Sequence, residues 1–211
     1  MSGSHALPPG WATARLDELF ATITDGDHQP PPQALTGVPF VVIGDIRDGV
    51  VDLSDARFVQ SAYYESLPDQ KKPHRGDLLY TVTGSFGIPV VVGSDAPFCV
   101  QRHIAILKPD RATNVRYVAL ALSTNAALRQ ATAVATGTAQ KTVGLARLRA
   151  ITIPLAPTNQ QQRIVEALDS LLSRLDAAVA SLESAQRKLK AYRASVLKAA
   201  VEGRLVRTEA E

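Results

Sequence analysis

The chain has 211 residues, a net charge of +3 and 45% hydrophobic side chains, enough to bury one globular core and carry an appendage. A single cysteine, Cys99, excludes a disulfide framework and fits a reducing cytoplasm. No apolar run reaches membrane length, and no signal peptide is evident. Met1-Ser2-Gly3-Ser4-His5 reads as a disordered start or a cloning remnant. Charge is unevenly spread. Residues 1–95 hold 6 Lys/Arg and 12 Asp/Glu, whereas residues 96–158 hold 8 Lys/Arg and one acid, Asp110. The basic set is Arg102, Lys108, Arg111, Arg116, Arg129, Lys141, Arg147 and Arg149. It reads either as a polyanion-binding surface or as the internal counter-charge of the acidic first part; charge alone leaves both open.

In chain order, Leu7-Pro8-Pro9-Gly10-Trp11 is an extended opening, and residues 15–20 read as a short strand or helical turn. Residues 25–33 form a loop with Asp25-Gly26-Asp27 and a run of three prolines. The β-branched and aromatic run 38–46 predicts a strand, and Asp48-Gly49 a turn into Val50-Val51. Phe58-Val59 continues the β pattern, and 63–67 suits a helical turn. A basic loop, Lys71-Lys72-Pro73-His74-Arg75-Gly76-Asp77, leads into a strand at 78–82. Strands are also expected at 88–92, 98–100 and 104–107, with Cys99 a buried small hydrophobe. Residues 115–131 read as one helix, and 135–142 as a loop.

From Thr158 to Val201 there is neither Pro nor Gly, and apolar residues recur every seven positions. One seam position carries Leu168, Leu175, Leu182, Leu189 and Val196; the other carries Ile164, Leu171, Ala178, Ala185, Tyr192 and Ala199. That is a coiled-coil pattern on a helix of about 65 Å, too long for a domain of this size to bury, so it needs a partner helix. Thr158 and Gln161 suit a capping box, and Gly203 a C′ stop. The expected fold is therefore α+β: a globular domain of short strands and a few helices over residues 1–157, one long coiled-coil helix over 158–203, and a tail over 204–211.

Catalytic constellations are weak. The histidines His5, His28, His74 and His103 are scattered without metal-ligand spacing, so neither catalytic nor metal residues are assigned. The segment ending in Lys141-Thr142 has Ala135 and Gln140 where a phosphate-binding loop needs glycine. What is present suits DNA. Asp25, His28 and Gln29 lie on one loop; Thr81, Thr83, Ser85 and Phe86 on a second; Thr136, Thr138, Gln140, Lys141 and Thr142 on a third. Glycines there let the backbone approach phosphates, which hydroxyl and N–H groups can bind. Gln101-Arg102-His103 is a base-reading cluster in type, since Gln can bridge adenine and Arg can grip guanine. Lys71, Lys72 and Arg75 add positive charge. Taken singly, the Asp-Gly and Thr-Gly loops read as ordinary turns and Gln101-Arg102-His103 as edge-strand residues facing solvent; their co-occurrence with the basic middle and the partner-seeking helix is what points to DNA.

The motifs run nearly end to end with one family. Leu7-Pro8-Pro9-Gly10-Trp11, Gly76-Asp77-Leu78-Leu79, the junction from Ile151-Thr152-Ile153-Pro154 to Gln160-Gln161-Gln162-Arg163-Ile164-Val165, and the helix end at Glu202-Gly203-Arg204-Leu205 resemble those of the specificity subunit of type I restriction–modification systems. The junction differs at Ala156, usually proline, and at Gln160, usually glutamate. The resemblance is to half a subunit: one target recognition domain and one conserved spacer helix. It implies a non-catalytic, sequence-specific, cytoplasmic DNA-binding chain that recognises half of a bipartite site in double-stranded DNA. It also implies partners: methyltransferase subunits that carry S-adenosylmethionine, restriction subunits in the full complex, and a second copy of the chain through the helix. The chain itself is expected to bind no cofactor. A natural half-subunit and a truncated one fit the residues alike. The competing reading from another class is a coiled-coil scaffold that does not read DNA.

Overall fold

The computed structural model describes residues 7–29, 31–47 and 49–205. The readings of residues 1–5, Pro30, Asp48 and the tail beyond 205 lie outside the described residues. Strands are β1 (Ala12–Arg15), β2 (Phe20–Asp25), β3 (Gln33–Ala34), β4 (Val38–Val41), β5 (Ile46–Arg47), β6 (Val50–Val51), β7 (Arg57–Val59), β8 (Leu78–Thr81), β9 (Pro89–Val91), β10 (Cys99–Val100), β11 (Ile104–Pro109) and β12 (Thr152–Leu155). Helices are α1 (Leu16–Leu19), α2 (Ser61–Ser66), α3 (Val115–Leu122), α4 (Asn125–Val134), α5 (Leu145–Arg149) and α6 (Thr158–Val201). Residues 1–165 and 166–211 form two units.

A four-stranded antiparallel sheet, ordered β2-β11-β8-β9, organises the first unit. Successive strand residues point to opposite faces. On one face Tyr80, Leu78, Ala105, Leu107 and Ile23 pack with Val118, Leu122, Ala127, Ala131 and Leu148 of helices α3, α4 and α5. On the other, Leu79, Ile104, Ile106 and Val90 pack with Val41, Ile46, Phe98 and Val100. Both faces are covered, so β8 is buried throughout and reads as a continuous apolar run rather than an alternating one. The second layer is the sheet β10-β4-β7-β3, in which β10 and β4 run parallel. Cys99 packs there with Val38, Val59 and Leu67, and burial pushes its thiol up to about 12.

A smaller cluster ties the start of the domain to its end. Strand β1 pairs antiparallel with β12. Trp11 donates Nε1–H to Gln160 Oε1 (3.1 Å), and the Tyr117 hydroxyl donates to the Pro154 carbonyl (2.8 Å) while accepting the Ala156 N–H (3.2 Å). Tyr117, Ala156 and Val165 are buried, with Trp11 and Ile164 packed on them. Two of the sequence motifs thus meet at the first turns of α6.

Three expectations are corrected. The strand expected over 38–46 stops at Val41, because the Asp45 carboxylate accepts the Val42 N–H (2.8 Å) and closes a 3-10 turn at Ile43–Asp45. The single helix expected over 115–131 breaks at Ser123-Thr124. The Ser123 hydroxyl donates to the Ala119 carbonyl and the Thr124 hydroxyl accepts the Ala127 N–H, so α4 starts afresh. Thr158 is the first helical residue of α6 rather than its cap, and Gln161 donates to the Ala156 carbonyl (2.8 Å) instead of reaching back to Thr158.

In the second unit α6 continues to Val201 and ends as expected. Gly203 adopts φ +69°, its N–H meets the Ala200 carbonyl, and the Arg204 N–H meets the Ala199 carbonyl (2.8 Å). The seam residues Leu171, Leu175, Leu182, Leu189 and Tyr192 are each at least 52% exposed on this single chain. Ile164, the first of the expected seam, packs in the globular unit. Among the described residues no helix is long and apolar enough to cross a membrane.

Candidate nucleic-acid interface

Antiparallel pairing brings the end of β2, the start of β11 and the end of β8 to one edge of the central sheet, with Ala105 opposite Asp25 and Ile104 opposite Thr81. The loops leaving that edge are those singled out in the sequence. Main-chain bonds stitch them side by side. Asp27 bridges Gln101; the Val82 N–H donates to the His103 carbonyl (2.9 Å); the Val143 N–H donates to the Val82 carbonyl (2.8 Å); and the Gly84 N–H donates to the Lys141 carbonyl (3.0 Å). The order across the surface is 25–29, 101–103, 82–85 and 140–143.

Two glycines make this closeness possible. A Cβ on Gly26 would stand 1.9 Å from the Val100 carbonyl oxygen, so no other residue lets this loop lie against β10. Gly137, at φ +106°, would bring a Cβ to 2.3 Å from the Gln140 carbonyl oxygen. Around it Thr136 and Thr142 exchange main-chain bonds (2.9 and 2.8 Å), closing the third loop into a small exposed finger.

Two adjoining clefts open on the surface. One, of about 260 Å³, is bordered by His28, Gln29, Gln101 and Arg102, with Phe40 and Phe58 among its apolar walls. The other, of about 430 Å³, is lined by Asp25, Thr83, His103, Gln140 and Thr142. His28 and Arg102 border both. His28 Nε2 lies 3.1 Å from Asp25 Oδ2. Arg102 is exposed and donates Nε–H to His103 Nε2 (3.4 Å). Burial, and then the Arg102 charge, lower the pKa of His103, which favours neutral imidazole. Arg102 and Lys141 form no ion pair among the described residues, whereas Lys108 of the same basic stretch pairs with Asp77 (2.9 Å). The two readings of the basic stretch thus divide between residues.

The expected site residues separate by role. Gln29, Arg102, Ser85, Thr136, Thr138, Gln140 and Lys141 are exposed, and Gln101, His103 and Thr142 are half-buried. Thr81 is a correction: it is fully buried, and its hydroxyl accepts the Ile88 N–H (3.0 Å), closing the 82–87 turn. Thr83 is a second correction: it is buried, and its hydroxyl accepts from the Thr142 hydroxyl (3.2 Å). Phe86 packs on the main core. Lys71 is paired with Asp27, and Lys72 donates to the Glu65 carbonyl over the Tyr64 ring. Arg75 pairs with Asp95 (3.2 Å) and lines a separate depression with Thr113 and Asn114. The linear reading missed Asp27, Gln33 and Arg57, which border the smaller cleft. Gln33 and Arg57 enter it through β3 and β7, a pairing that no local pattern announces.

Residues 8–183 match the family model described as "Type I restriction modification DNA specificity domain". The chain is 28% identical over 210 residues to the StySPI specificity subunit, a type I restriction enzyme component of Salmonella potsdam, covering 94% of this chain and 44% of that one. It superimposes on the HsdS subunit of Thermoanaerobacter tengcongensis with TM-score 0.64 at 25% identity, covering 96% of this chain and 48% of that one. A chain from a study of complex assembly in the type I R-M system gives TM-score 0.71 at 24% identity, covering 94% of this chain and 47% of that one. The chain spans less than half the length of each.

Proposed function

The chain belongs to the family of type I restriction modification DNA specificity domains, and from that premise we propose that it reads one half of a bipartite DNA site for a methyltransferase complex. The observation that carries the proposal is the convergence of four separate loops on one sheet edge, where Gln101, Arg102 and Lys141 stand beside glycine-tightened backbone. Amide and guanidinium groups read base edges, and open cations with backbone N–H groups hold phosphates. On this reading the chain is a non-catalytic subunit of the cytoplasm. Methyl-donor chemistry stays on methyltransferase partners, and cleavage on restriction subunits where they join. The exposed heptad seam pairs with a second copy, antiparallel about a two-fold axis, so the helices set the distance between two half-sites.

Selection from randomised duplexes by the chain with methyltransferase subunits tests this. A defined half-site should emerge. Arg102→Ala or Gln101→Ala should relax preference at particular bases. Lys141→Ala should weaken all sequences alike and flatten the log–log salt dependence by about 0.9. Absence of any preference among duplexes would refute the recognition reading in favour of a scaffold.

A further inference from the structure

The smaller cleft contains a residue that is out of place on a surface meant for phosphates: Asp27. An unpaired carboxylate there would repel DNA, so what occupies its oxygens matters. Oδ2 accepts the Tyr63 hydroxyl of α2 (2.8 Å), and Oδ1 accepts the ammonium of Lys71, at the end of the 3-10 turn Asp69–Lys71. The Lys71 hydrogen bond holds the Asp27 carboxyl below the usual carboxylate range, against the opposing effect of burial and with help from Tyr63. Both oxygens are engaged, so Asp27 has little left to offer the amino edge of a base. The pair is partly withdrawn, with Lys71 23% and Asp27 29% exposed at their side chains. On the backbone side Asp27 bridges Gln101, and Gly26 just before it lies against Val100.

We infer that Asp27 is a positioning residue for DNA recognition that clamps the His28-Gln29 tip against Gln101 and Arg102, and that it also removes Lys71 from the set of phosphate-binding cations. The inference rests on the DNA-recognition reading above. It divides the basic groups of this face into open cations, Arg57, Arg102 and Lys141, which form no ion pair among the described residues, and a neutralised one, Lys71. An ammonium cancelled by a fixed carboxylate releases no counterion when DNA arrives, so it adds nothing to the salt dependence. Left open, it would strengthen binding to every sequence and blur the contrast that the neighbouring side chains create.

Four forms of the full chain, assembled with the methyltransferase subunits, test this: unmodified, Asp27→Asn, Tyr63→Phe, and Asp27→Asn with Lys71→Met. Each is titrated with its selected duplex and with a scrambled duplex over a salt series, and its thermal midpoint is recorded. Asparagine still accepts from Tyr63 but carries no charge. Asp27→Asn should therefore steepen the salt slope by about 0.9, as one phosphate contact is added, and raise affinity for the scrambled duplex. The ratio between the two duplexes should fall several-fold. The double variant should return the slope to its original value and recover only the part of the ratio lost to the open Lys71, so that the remaining deficit measures loop positioning. Tyr63→Phe should lower the ratio without moving the slope. A merely structural salt bridge would shift the thermal midpoint and leave the slope unchanged. An unaltered slope and ratio in Asp27→Asn would overturn the inference while leaving the recognition reading intact. Loss of duplex preference in the unmodified chain would instead overturn the recognition reading itself.

Discussion

Replacing Asp77 by alanine should be among the most damaging single changes in the globular unit, although this residue touches no loop of the recognition face. Its carboxylate is 8% exposed and its partner Lys108 17%. Asp77 Oδ2 accepts both the Lys108 ammonium (2.9 Å) and the His74 N–H (2.8 Å). Truncation leaves an ammonium largely out of water without its counter-charge, and one main-chain N–H without its acceptor. Breaking a buried pair from one side costs about 3–5 kcal/mol. Lys108 keeps the Lys72 carbonyl (3.0 Å) and His74 Nδ1 (3.3 Å), which places the loss near the lower end, about 3 kcal/mol. Against a typical domain stability of about 5–15 kcal/mol that is a large fraction. Urea unfolding followed by fluorescence of Trp11, the single tryptophan, reports on this unit directly, because Trp11 packs in the cluster at the start of α6. At a slope of about 2–3 kcal/mol per molar urea, the midpoint should fall by about 1–1.5 M. Asp77→Asn, which can still accept from His74, should cost about 2 kcal/mol. Adding Lys108→Met to Asp77→Ala should recover most of the loss, because an apolar pair needs no counter-charge. A loss below about 1 kcal/mol for Asp77→Ala would refute the reasoning, because the ammonium would then have found water or another acceptor at little cost.

Two further outcomes are expected. Gly26→Ala drives a Cβ into the Val100 carbonyl, so the 25–29 loop must retreat; binding to the selected duplex should drop at least tenfold, roughly 1.4 kcal/mol, while the scrambled duplex is little affected, as read by fluorescence anisotropy. Leu175→Asp combined with Leu182→Asp places charge on the exposed seam and should reduce the mass in solution from two chains to one by light scattering; far-ultraviolet circular dichroism of the globular unit's strands should persist.

Local chemistry made much of this architecture readable, and long-range pairing accounts for what was hidden. The long helix was legible because a seven-residue period needs only neighbours along the chain, as was the stop at Gly203. The strand at 78–81 was legible from its apolar run, but that run could not say that Leu79 and Tyr80 serve opposite layers. Thr81, Thr83 and Arg75 show the limit at the site. Hydroxyl and guanidinium groups on glycine-flanked loops look alike in sequence, whereas their partners, Ile88, Thr142 and Asp95, decide whether they face a ligand, the interior or another patch. Asp27 escaped notice because its meaning depends on Tyr63 and Lys71, which stand 36 and 44 residues away. The break at Ser123-Thr124 was visible in principle, since two adjacent hydroxyl residues in a helix compete for its backbone.

The knot formed by Trp11, Tyr117, Pro154, Ala156, Gln160 and Gln161 borders neither cleft. Those residues fix where the chain leaves the sheet to begin α6, while the groups proposed to meet DNA ride on loops from the sheet's edge. Mutational drift in the loops therefore leaves the departure point of the helix untouched. Under the proposed function, the surface offered to DNA can change residue by residue or loop by loop while the contacts that set the first turns of α6 stay the same.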